Sequence, residues 1–204
     1  MTVRMILLLC VLLTPSWILT SSAATILTFE PSAFTDGGQL PADYGSRALS
    51  TPNVELLWST SPSQSWCPWP TQYGDLVNNT YGCSSSTGPY TVSFTADPGW
   101  NVLVESFDLA GWPNINRVIT QIQVGTQFFN NVSAPGTGHN TLTPNEAGAS
   151  VLLSVVGPDF FNAGMDNLQF SQVPVDVTAV PEPGSLALFG VGLAALKAYR
   201  RRSR

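Results

Sequence analysis

Basic residues are nearly absent from the body of this 204-residue chain. Between Thr25 and Ala179 there is no lysine, and Arg47 and Arg117 are the only arginines, whereas every Asp and Glu except Glu182 lies in that span. A body so poor in cations is repelled by phosphate backbones, which excludes nucleic acid as a partner. Histidine is scarce too: His139 is the only one, so neither a Cys–His nucleophile nor a Zn site can be assembled with any redundancy. There is no G-x-S-x-G elbow, no H-E-x-x-H, no phosphate-cradling glycine loop with a lysine and no dinucleotide fingerprint. The sequence therefore predicts a non-catalytic protein. Only paired carboxylates, such as Glu105 with Asp108 or Asp159, keep a cryptic glycoside hydrolase as an alternative.

The two apolar runs that do occur lie at the ends. Residues 1–24 read as a cleavable secretory signal: Arg4 gives the positive start, residues 5–13 the apolar stretch and Ser22-Ala23-Ala24 the small-residue cleavage site. Export by the general secretory pathway puts the mature chain in an oxidising compartment. Cys10 leaves with the signal, and the remaining pair, Cys67 and Cys83, is expected to form a disulfide.

The body, residues 25–173, lacks apolar spacing of the helical kind and alternates instead. Tyr90, Val92, Phe94 and Ala96 take turns with polar residues, as do Val118, Thr120, Ile122 and Val124. Further short strands are predicted at 26–30, 54–59, 101–109, 127–132, 150–156 and 165–171. Turn formers separate them: Asp36-Gly37-Gly38, Pro98-Gly99, Ala110-Gly111, Pro135-Gly136 and Gly157-Pro158. About eight such strands predict an all-β domain, an antiparallel β-sandwich of jelly-roll type. Residues 174–179 read as a linker.

The last segment, residues 180–204, has three parts in fixed order. Pro181, Glu182 and Pro183, followed by Gly184, stop any strand or helix coming from upstream. An uncharged run follows from 184 to 196, about 20 Å long as a helix against a hydrocarbon core of about 30 Å, so a membrane helix needs to draw on residues out to about 199. Lys197, Arg200, Arg201, Arg202 and Arg204 then form a basic end that stays cytoplasmic and leaves the body outside. This arrangement resembles the PEP-CTERM sorting tail, also labelled the C-terminal domain of ice-binding proteins. The resemblance implies an exported bacterial protein whose tail sits in the inner membrane, transiently or stably. An exosortase would read it and send the protein to the cell surface or the exopolysaccharide matrix. A permanently anchored periplasmic domain is the alternative topology.

Two sites are predicted in the body. Residues 28–30 (Thr-Phe-Glu) and 165–170 (Met-Asp-Asn-Leu-Gln-Phe) resemble the first and last strands of jelly-roll carbohydrate-binding modules, and that resemblance implies a structural Ca²⁺ held by Glu30 and Asp166. Strand periodicity separately turns Asp166 to the side of Leu168 and Phe170, where an inward carboxylate needs a cation or several donors. At the strand mouth, a turn amide would serve equally well. The second site is aromatic: Trp69 and Tyr73 in the loop SWCPWPTQYG, with Trp112, are the rings to stack on sugar faces. Burial as loop plugs, with Trp66 covering the disulfide, is the competing expectation.

Overall fold

The computed structural model describes residues 23–30 and 37–175. The signal segment through residue 22 and the sorting tail with its membrane helix lie outside the described residues. Among the described residues no helix is long and apolar enough to cross a membrane.

Among the described residues twelve strands form two antiparallel sheets that pack as a β-sandwich. In chain order they are β1 Thr25–Leu27, β2 Val54–Trp58, β3 Trp66–Trp69, β4 Asn79–Gly82, β5 Tyr90–Ala96 and β6 Trp100–Gly111. They continue with β7 Arg117–Val124, β8 Gln127–Ala134, β9 Asn140–Leu142, β10 Glu146–Gly148, β11 Ser150–Val156 and β12 Ala163–Pro174, with a 3-10 turn over Pro158–Asn162. The first sheet runs β10-β6-β12-β4-β3, with β1 added on β12 and β9 on β6; the second runs β2-β5-β11-β7-β8. The opening strand pairs with the closing one, Thr25 opposite Phe170.

Alternation explains the core. Val54, Leu56 and Trp58, Tyr90, Val92 and Phe94, and Val151, Leu153 and Val155 all point inward from the second sheet. From the first sheet Val102, Val104, Phe107, Leu109, Met165, Leu168 and Phe170 meet them. Trp66 is fully buried between Trp58 and Phe160, its ring centroid 5.1 Å from each.

Three expectations are corrected. Residues 66–69 are not loop but an edge strand, where Pro68 removes no ladder donor that a neighbour needs. Ala110-Gly111 does not turn; both residues finish β6. In β7 the inward set is Ile119, Ile122 and Val124, while Val118 is 49% exposed, because the pleat changes phase near Thr120, opposite Asn131 with its positive φ of 52°.

Candidate functional site

The outward face of the first sheet, away from the second, carries the candidate site. On β6 the residues alternating with core Phe107 and Leu109 are Asp108 and Ala110; on β12 those alternating with core Ala163 and Met165 are Gly164 and Asp166. On β4 and β3, Asn79 and Tyr81 share that side with Trp69 and Cys67, their register partners being Trp69 and Cys67 respectively. One end of the face is aromatic and the other acidic.

Sequence periodicity misassigned Asp166. It does not face the way Leu168 and Phe170 face. Asn167 takes a positive φ of 50°, and the β6–β12 register shifts between Asp166 and Gln169, so a bulge reverses the alternation. Asp166 stands on the outward face directly opposite Asp108, yet is only 4% exposed. Burial, reinforced by the negative charges of Asp108 and Glu30, pushes its carboxyl up to about 7 against the opposing Asn167 N–H. That N–H donates to Asp166 Oδ1 at 2.7 Å.

Asp108 is held differently. Thr141 Oγ1 donates to its Oδ1 at 2.5 Å and Asn167 Nδ2 to its Oδ2 at 2.8 Å. His139 joins the group from the side: its Nδ1 lies 2.9 Å from Asp75 Oδ1 and its Nε2 3.8 Å from Asp108 Oδ1. The hydrogen bond to Asp75, then the nearby Asp108 charge, raises the imidazole above its ordinary value. The two loops meet because Gly74, at φ +56°, packs on the Gly138 carbonyl so closely that a Cβ there would come within 2.1 Å of the oxygen. Neither arginine among the described residues neutralises this corner: Arg47 binds Glu55 and Asp97, and Arg117 donates to the Trp112 carbonyl.

Glu30 and Asp166, the two residues expected to hold Ca²⁺, lie near enough for the Glu30 charge to act on Asp166. Glu30 is exposed and accepts from Asn78 Nδ2 at 2.8 Å, while Asp108, the carboxylate nearest to Asp166 in register, already has both oxygens engaged. Among the described residues no group of three or more His, Cys, Asp or Glu side chains is arranged to hold a metal ion. Calcium wants six to eight oxygens. Asp166 accepts from the neighbouring Asn167 N–H.

At the other end Trp69, Tyr73 and Trp112 meet, joined by Tyr81 and Phe161, around a pocket of about 140 Å³. Tyr81 is the central ring: its centroid is 6.3 Å from Trp69 at 88°, 6.1 Å from Tyr73 and 5.9 Å from Phe161. Tyr73 is buried, Phe161 is 37% exposed and the two indoles are half-buried. The 3-10 turn splits its Phe pair, sending Phe160 into the core and Phe161 to the pocket. Trp112 is fixed by its N–H to Asn162 O at 2.8 Å and by Arg117 on its carbonyl. The Cys67–Cys83 disulfide, Cα–Cα 5.2 Å, ties the β3–β4 hairpin that supplies Trp69 and Tyr81.

The other predicted carboxylates are scattered. Glu105 accepts from Gln169 Nε2 at 2.5 Å, and Asp159 lies in the 3-10 turn. Tyr81, Phe161, Asp75 and His139 were not legible as site residues: two sit in segments too short to alternate, and a lone histidine has no spacing to read.

Residues 179–202 match the PEP-CTERM protein-sorting motif. The motif points to an exported, surface-directed protein and to an exosortase as the partner that recognises its tail. No curated protein matches the chain, and no solved structure matches it.

Proposed function

We propose that the chain is a non-catalytic exported protein, sorted through its tail to the cell surface or exopolysaccharide matrix, whose sandwich contacts glycan through the aromatic end of the first sheet's outward face. The observation that carries the reading is the convergence of Trp69 and Tyr73, from one stretch, with Tyr81, Trp112 and Phe161, from three others, on one pocket. Rigid, partly exposed rings beside polar groups suit pyranose faces, and the disulfide and backbone hydrogen bonds hold them in place. The pairing of first and last strands supports the jelly-roll resemblance. Affinity electrophoresis of the full-length protein through gels containing exopolysaccharide tests it. Retardation that Trp112→Ala abolishes supports the reading; equal mobility with and without polysaccharide overturns it.

A second reading, a carbohydrate-active enzyme, draws on a different observation. Asp108 and Asp166 face each other across β6 and β12, and burial pushes Asp166 up to about 7, as the general acid of a glycoside hydrolase requires. Release of reducing sugar that Asp166→Asn eliminates would favour it.

A further inference from the structure

Five rings line the pocket at the aromatic end of the first sheet: Trp69, Tyr73, Tyr81, Trp112 and Phe161. They do not form a flat platform. The Tyr81 plane stands at 88° to Trp69 and at 70° to Phe161, so one sugar face cannot lie on all of them and the rings act as walls. The pocket volume of about 140 Å³ is close to that of the roughly 150 Å³ cavity that holds a benzene. A group of that size enters, while a pyranose with its hydroxyls rests at the mouth.

The lining decides which small group fits. Ring faces are negative and attract a cation held within about 6 Å of the centroid. A primary ammonium carries three N–H donors that need acceptors once it leaves water, and among the described residues no carboxylate or amide side chain lines the pocket. A quaternary ammonium has no N–H, and its charge is spread over methyl groups that meet the rings directly. We propose that the pocket takes a trimethylammonium head group whose remaining arm carries no negative charge, as in choline. This goes beyond the glycan reading and does not rest on it. Charge favours such a ligand and disfavours one with an anionic arm: Asp75 follows Tyr73 by two residues, and Asp108 and Asp166 stand on the same outward face. Of the cationic groups nearby, Arg117 donates to the Trp112 carbonyl at 3.0 Å and His139 is bound to Asp75 at 2.9 Å, and neither lines the pocket.

A chemical-shift titration of choline's N-methyl resonance tests the assignment, with the full-length protein held in a polyoxyethylene detergent that brings neither sugar nor ammonium. Ring currents are expected to move the resonance upfield in a saturable way. Choline is expected to bind at least about tenfold more tightly than its uncharged isostere, the alcohol with carbon in place of the nitrogen. Phe161→Leu removes a ring but keeps an apolar wall, and is expected to weaken choline by about threefold while leaving the isostere unchanged. Phe161→Tyr keeps the ring and is expected to keep the affinity. Equal affinity for choline and the isostere, equal weakening of both in Phe161→Leu, or loss of choline binding in Phe161→Tyr overturns the assignment. Phosphocholine binding as tightly as choline overturns it too, because the acidic face would then play no part, and so does the absence of any shift. Retardation by exopolysaccharide depends on none of these outcomes, so a failure here leaves glycan contact standing.

Discussion

Asp108 and Asp166 stand directly opposite one another on β6 and β12, on the outward side of the sheet, at 9% and 4% exposure. Burial, with the Asp108 charge adding to it, pushes the Asp166 carboxyl up, while the Asp108 oxygens accept from Thr141 and Asn167.

That shift makes stability depend on pH. Asp166 has its folded-state value raised from the ordinary 3.8 to about 7, so its stabilisation is complete at pH below the ordinary value and is lost as pH rises through about 7, up to about 4 kcal/mol in all. Thermal melts between about pH 5 and pH 8 are expected to show Tm falling with pH. Asp166→Asn should flatten the curve and raise Tm at the alkaline end; an unchanged slope would remove Asp166 as its source.

The corner should be indifferent to calcium. Chelation is expected to leave Tm unmoved, since Asp166 accepts from the Asn167 N–H and both Asp108 oxygens are engaged by Thr141 and Asn167. A fall in Tm on chelation, restored by added calcium, would bring the predicted metal back.

His139 reports on the same corner. It is the chain's single histidine, so its imidazole resonances need no assignment by mutation. NMR titration should place its pKa above the ordinary 6.5, and Asp75→Asn should bring it down, because the Asp75 hydrogen bond is the main cause of the shift. The linked stabilisation is present below the ordinary value and is lost as pH rises through the raised one. An Asp75→Asn variant with the wild-type titration curve would contradict the contact.

The disulfide should matter to the pocket as well as to the fold. Cys67 and Cys83 are 16 residues apart, and opening a loop of that size by Cys83→Ala with Cys67→Ala is expected to cost about 3 kcal/mol. Urea denaturation measures it; a cost near zero would mean that the hairpin carrying Trp69 and Tyr81 holds without the bond.

Much of this was legible from alternation. The strands at 90–96 and 150–156 have in the structure the limits their patterns predict, since both lie inside a sheet with one face buried. Bulges were not legible. The reversal at Asn167 is invisible in a run of Met-Asp-Asn-Leu, so Asp166 was assigned to the wrong face although its unusual environment was anticipated. Trp-Cys-Pro-Trp read as loop because proline breaks an interior strand but not an edge one. Gly111 read as a turn, yet it stays in β6 where a Cβ would sit 2.0 Å from the Ile115 carbonyl oxygen. Trp69, Tyr73 and Trp112 were chosen by chemistry alone, and it is the hairpin and the 3-10 turn that complete their pocket.

The most direct test uses the indoles themselves. Trp58 and Trp66 are buried in the core, whereas Trp69 and Trp112 line the pocket, so a ligand there perturbs a distinct part of the fluorescence. Titrating the full-length protein with exopolysaccharide is predicted to give a saturable spectral change that disappears when Trp69→Phe and Trp112→Phe are combined. A change of undiminished size in that double variant, or none in the wild type, would contradict the account.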